Sequence, residues 1–119
     1  MSVRKVNSTN SQNQHLLKNF CGVVYTLELI GARWKMLILY KLESGRKRYS
    51  TLRDEIPNIT ERMLTRQLKE LEKDHLIKRT VHAEIPLRVE YELTETANSL
   101  SPVWHAMEAW GKRHKVTYL

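Results

Sequence analysis

Residues 58–75, NITERMLTRQLKELEKDH, leave this chain few folds to choose from. Thr60 is a good N-cap, because its hydroxyl can accept from a first-turn N–H that has no partner inside the helix. Ile59 before it and Leu64 after it stand at the two positions of a hydrophobic staple, which sets how the chain enters. A turn of about 100° per residue then gathers Met63, Leu64, Gln67, Leu68 and Leu71 on one face, which must be buried. The opposite sector carries Arg62, Arg66, Lys69 and Lys73 and no acid, while Glu61, Glu70, Glu72 and Asp74 lie on the flanks. Arg62 with Arg66 and Lys69 with Lys73 are like-charge pairs one turn apart, each costing roughly 0.2–0.5 kcal/mol. A polyanion on that face would relieve the repulsion. A solvated surface helix would need none, and this segment alone does not separate the two readings.

The residues before this helix narrow the choice. Residues 32–43 read as a helix burying Trp34, Leu37, Ile38 and Leu42, stopped at Ser44 and Gly45. Arg46, Lys47 and Arg48 come next, either an ordinary basic turn or added charge at an anion-binding edge. Ser50 is a natural N-cap for a helix of about two turns that Pro57 limits. A short helix, a tight Pro-Asn connection and a basic-faced helix in succession make a helix-turn-helix, whose second helix enters a major groove of duplex DNA. Ser50 and Thr51 at the first helix's N-terminus, with Arg48 beside them, would hold a backbone phosphate.

The residues after it fit the same plan. Residues 76–82 have the β-branched content of a strand, residues 83–87 read as a loop, and residues 88–93 alternate with Val89, Tyr91 and Leu93 on one face. A hairpin directly after such a helix is a wing. Its Arg88 would reach an adjacent minor groove and Arg79 or Lys78 a phosphate, or else the hairpin only covers the core. Thr94 caps a last helical region, in which Pro102 kinks or restarts the helix and Ser99 or Ser101 offers a second cap. Leu100, Val103, Trp104, Met107 and Trp110 mark one face of it. Leu16, Phe20, Val23, Val24 and Leu27 recur at helical spacing before Gly31, with an interruption expected near Gly22. The two apolar stripes pair two copies of the chain, or else pack as intramolecular core.

The expected organisation is a polar arm over residues 1–14 and one domain over 15–119. Within it the helix-turn-helix spans about 50–75, the wing about 77–93, and dimerisation helices about 15–30 and 95–115. The fold class is α+β, mostly α. A net charge of +7 suits a polyanionic partner. No run reaches the roughly 18 apolar residues of a membrane span, and residues 1–14 lack a signal peptide's apolar core, so a cytoplasmic protein is expected. Cys21 is the one cysteine, which excludes an internal disulfide. Its thiol is reactive if a cation or helix N-terminus lowers its pKa, and inert if simply buried. The five His show no metal-ligand spacing, and no phosphate loop, nucleophile elbow or acid pair supports an enzyme; no cofactor or metal is expected.

With these pieces in order, the chain resembles the HxlR-type winged helix-turn-helix regulators of bacteria, related in architecture to MarR-like dimers. The match is carried by Cys21, Thr26 and Leu27, Ile30 and Gly31, Trp34, Leu37 to Leu39, Tyr49 and Ser50, and Leu52 and Arg53. It continues through Ile59 and Thr60, Met63 to Thr65, Gln67 and Leu68, Leu71 and Glu72, Val89 to Tyr91, Leu93 to Glu95, and Trp110 and Gly111. The resemblance implies a homodimeric transcriptional regulator on a two-fold related operator, with an interface from the N- and C-terminal helices. It also implies, for some members, sensing of oxidants or electrophiles through the cysteine matching Cys21. The chain departs from the pattern at Gly22, where Pro is usual, at Ala32 and Arg33 for Gly-Lys, at Ala97 for Gly, and at His75 for a helix-ending Gly. A left-handed conformation at His75 would be strained.

On this reading Arg62, Thr65, Arg66 and Lys69 face base edges, with Arg66 bidentate to a guanine. Thr60, Ser50, Thr51, Arg48, Lys73 and Arg79 hold phosphates, and Arg88 acts from the wing. A reading from another class is a protein-interaction module docking through the helix of Trp104 and Trp110, with a merely solvated basic face. An RNA-binding winged helix is a third, without the aromatic strand pattern such domains use.

Overall fold

A computed structural model describes residues 21–119. The arm over 1–14, and Leu16 and Phe20, lie outside the described residues. The chain divides into two compact units after Ala32. In the first, helix α1 spans Gly22–Ile30, so it begins at the interruption the sequence indicates. Cys21 is its N-cap, with extended backbone. The Gly31 N–H closes the helix on the Leu27 carbonyl at 2.7 Å. A Cβ at Gly31 would overlap that carbonyl, so glycine is required there.

The second unit starts with α2, Arg33–Leu42, whose buried residues are Ile38, Leu39 and Leu42. Leu37, expected inside, is exposed, and Trp34 is only half-buried. The inward stripe runs through positions 35, 38, 39 and 42, one step round from the stripe expected, and its first member is Lys35. Gly45 ends the turn with φ of 134°. A two-residue strand β1, Lys47–Arg48, leads straight into α3, Tyr49–Glu55. Ser50 is therefore not the cap. Arg48, extended because it lies in the sheet, occupies that position without a side-chain bond, and Ser50 falls in the first turn.

Asn58 turns the chain with φ of 66°, a conformation its short polar side chain tolerates. Helix α4 then runs over Glu61–Lys73, with the Met63 N–H donating to Thr60 Oγ1 at 3.1 Å. Leu64, Gln67, Leu68 and Leu71 are buried, as the 3.6-residue period requires, and Ile59 is buried beside them. The end is a Schellman motif. Leu76 N–H donates to Leu71 O at 3.0 Å, His75 N–H donates to Glu72 O at 3.1 Å, and His75 has φ of 61°.

Strands β2, Ile77–His82, and β3, Arg88–Leu93, pair antiparallel, and β1 adds to the far side of β3. Residues directly opposite share a face. Ile77, Arg79 and Val81 lie with Leu93, Tyr91 and Val89, while Lys78, Thr80 and His82 lie with Glu92, Glu90 and Arg88. Ile77 and Tyr91 are buried, so the first set faces the core. Thr94 caps the four-residue helix α5, Glu95–Asn98, accepting from Ala97 N–H at 3.1 Å. Helix α6, Ser101–Tyr118, has Leu100 as its N-cap, so neither Ser99, which closes α5, nor Ser101 starts it; Pro102 occupies its first turn. Trp104 is 2% exposed and belongs to the core of its own chain rather than to a free surface.

Candidate nucleic-acid interface

The buried stripe of α4 fixes which of its side chains point outward. Arg62, Thr65, Arg66, Lys69 and Lys73 are all exposed. The two helices of the turn are locked by Tyr49. Its hydroxyl donates to the Glu61 carbonyl at 3.1 Å and lies 3.1 Å from Thr65 Oγ1. A carbonyl can only accept, so the phenol proton is used there and the Thr65 hydroxyl donates to the phenol oxygen. Thr65 thus helps set the angle between α3 and α4. Arg53 adds a second tie, 2.9 Å from Glu61. The hydrogen bond that Arg53 donates to Glu61, then that to Asp54, raises the Arg53 pKa above its ordinary value.

Arg66 is not isolated among the cations. Its Nε is 3.6 Å from Glu70 Oε1, and Lys35 Nζ is 2.8 Å from the other oxygen, Oε2. The Lys35 hydrogen bond, working against partial desolvation and assisted by Arg66, holds the Glu70 carboxyl below its ordinary value. Beyond Arg66, α4 and the core-side face of the sheet enclose a groove of about 380 Å³ lined by Thr65, Lys69, Glu72, Arg79 and Tyr91. Arg79 therefore reaches the same groove as Lys69. Arg48 and Ser50 are exposed at the start of α3, and Thr51 is half-buried.

The wing departs from expectation. Arg88 is drawn back to Glu84 at 3.1 Å and to Glu90 at 3.8 Å. Arg46 approaches Glu92 at 3.4 Å, and His82 Nε2 lies 2.6 Å from Glu90. Arg88 and Arg46 are thus each paired with acids on the outer face of the hairpin, and the tip presents exposed Ile85 and Leu87 instead of a cation. Alternation along a strand identifies faces but not diagonal partners, so this network is not legible in the sequence. Tyr49 and Lys35 escape a sequence reading for the same kind of reason: each acts through a residue distant in the chain.

On α6, Val103, Met107 and Trp110 are exposed and Leu100 is half-buried. His114 stacks on Trp110, with ring centroids 4.9 Å apart. On α1, Val23 and Leu27 are exposed, Val24 is half-buried, and Cys21 is a half-buried free thiol. Among the described residues no group of three His, Cys, Asp or Glu could hold a metal ion, and no helix is long and apolar enough to cross a membrane.

A family model described as HxlR-like helix-turn-helix matches residues 29–117. YdeP of Bacillus subtilis (strain 168), an uncharacterized HTH-type transcriptional regulator, is 47% identical over 95 residues, covering 80% of this chain and 74% of that protein. YybR of the same organism, described likewise, is 39% identical over 107 residues, covering 90% and 86%. Among solved structures, the redox regulator HypR in its oxidized form superposes with a TM-score of 0.75 at 43% identity, covering 78% of this chain and 96% of that one. The reduced form of the transcriptional regulator YodB from B. subtilis gives 0.69 at 37% identity, covering 79% and 93%.

Proposed function

Because this chain belongs to the HxlR-like helix-turn-helix family, we propose that it is a sequence-specific DNA-binding transcriptional regulator acting as a homodimer on a two-fold related operator. One observation carries the reading. The four cations Arg62, Arg66, Lys69 and Lys73 are all exposed on the side of α4 opposite its buried stripe, with no acid in their sector. That face fits a major groove, where Arg66 makes the bidentate contact to guanine and Arg62 and Lys69 flank it. Arg48, Lys73 and Arg79 neutralise phosphates, with Thr60, Ser50 and Thr51 at the helix starts. Arg88 stays with its acids and contributes little. The exposed Val103, Met107 and Trp110 are the α6 surface assigned to a second copy, and Val23 and Leu27 extend the assignment to α1.

Duplexes selected from a random pool supply the operator, and titrations on it and on sheared DNA at two salt concentrations supply the test. Arg66→Ala costs about 1–3 kcal/mol on the operator and blurs one base position. Lys73→Ala weakens both DNAs alike and lowers the salt slope by about one unit. Equal losses for both variants on both DNAs sink the division of labour. A flat salt response sinks DNA binding altogether and favours the protein-interaction module.

Cys21 at the N-cap of α1, in a chain similar to a redox regulator, supports a second component. With one cysteine per chain, oxidation gives either an adduct with a small thiol or a disulfide between two copies, in which two Cys21 thiols lose two protons and pass two electrons to the oxidant. Diamide treatment then yields a dimer covalent on non-reducing gels and a changed operator affinity. Unchanged affinity in the oxidised dimer removes sensing from the reading.

A further inference from the structure

Lys35 occupies the first position of the inward stripe of α2, and its side chain is only 11% exposed. It is therefore not itself a DNA contact, yet its ammonium lies 2.8 Å from Glu70, one turn along α4 from Arg66. We infer that Lys35 is a positioning residue for base recognition: by claiming one oxygen of Glu70 it prevents that carboxylate from closing a two-bond fork on Arg66, and leaves the guanidinium edge free for DNA. The inference rests on the reading of Arg66 as a base contact.

An arginine and a carboxylate one helical turn apart attract each other, and their strongest geometry is the fork, two parallel N–H···O bonds to the two oxygens. A guanine is read through the same two-pronged donor edge. Fork and base thus compete for Arg66. The distances decide which Glu70 contact dominates. The 2.8 Å approach to Lys35 is a hydrogen bond, whereas 3.6 Å to Arg66 Nε is beyond hydrogen-bond length. Glu70 therefore orients Arg66 electrostatically through Nε without capturing it. The low pKa of Glu70, caused first by the Lys35 hydrogen bond, agrees. Without Lys35, Oε2 is released and the fork can close.

The experiment uses the full chain, operator duplex selected by the wild type, and sheared DNA, with thermal melts to verify folding. Lys35→Met weakens operator binding on the order of ten-fold and blurs the base position that Arg66→Ala blurs. Sheared-DNA affinity stays within about two-fold, because the lost charge was already paired. Adding Glu70→Gln, whose neutral amide cannot form a charged fork, restores operator affinity and base preference. A merely structural Lys35 would give no such rescue. Lys35→Gln, which keeps a donor but not the charge, falls between wild type and Lys35→Met and serves if the methionine variant does not fold. Wild-type operator affinity in a folded Lys35 variant overturns the inference, as does equal loss on both DNAs or a double variant no better than the single. If Arg66→Ala itself shows no operator preference, the base-contact reading fails and takes this inference with it. If Arg66→Ala is selective and Lys35→Met is silent, only the inference fails.

Discussion

His75 holds a left-handed backbone, with φ of 61°, that glycine adopts freely. An L-residue there costs roughly 1–2 kcal/mol, of which the greater unfolded-state freedom of glycine takes back part. His75→Gly should therefore raise the stability by about 1 kcal/mol in urea unfolding, with operator affinity unchanged. This strain was legible through the family resemblance, which sets His75 where a helix-ending glycine is usual. The fate of Trp104 was not. A stripe at helical spacing says that a side chain must be covered, but not whether its own chain or a second copy covers it. Trp104→Ala should cost about 3–5 kcal/mol of stability, as emptying a large core site usually does, while Trp110→Ala, which trims an exposed ring, should weaken association of two copies rather than the folding of one chain. Glu70 supplies a pH test. Its pKa is lower folded than the ordinary 4.5, so its contribution is present above that value and is lost as pH falls through the folded pKa. The stability difference between wild type and Glu70→Gln should be widest near neutrality and narrow as pH falls below the ordinary carboxylate value; a gap constant with pH would remove the linkage.

Elements whose signals are local were readable in the chain. The Thr60 cap, the period of α4, the hairpin strands over Ile77–His82 and Arg88–Leu93, and the Thr94 cap each depend on residues a few positions apart. Thr60→Ala should accordingly cost about 1 kcal/mol in unfolding, through the lost bond to the Met63 N–H. Strand β1 was hidden because two residues carry no periodicity, and its ladder partner, Tyr91 or Glu90, lies more than forty positions away. Its absence from the sequence pattern also displaced the expected cap of α3 from Arg48 to Ser50. The wing shows the same limit. Arg88 and Arg46 look like free cations until the sheet brings Glu90 between them. Arg88→Ala should leave the salt slope of DNA binding within about half a unit of wild type, against a loss of about one for Lys73→Ala.

For the molecule as a whole, a charge of +7 favours approach to duplex, and in the proposed homodimer register on DNA depends on how the two copies are held. Trp110→Glu, placing a carboxylate on the exposed α6 face, should shift sedimentation to the single-chain mass and abolish preference for paired over single half-sites. An intact dimer in that variant would move the interface elsewhere. In the proposed homodimer, the joint at Thr94 would couple half-site spacing to the pairing of the copies. Its hydroxyl donates to the His75 carbonyl at 2.7 Å, and its N–H donates to Leu76 O at 3.1 Å. The carboxyl end of α4 and the start of the short helix α5, which leads into α6, are thus pinned to one point. A lean of the paired terminal helices would be passed through α5 to the carboxyl end of α4. A small change in how the copies pair would then alter the spacing of the two helices that meet the duplex.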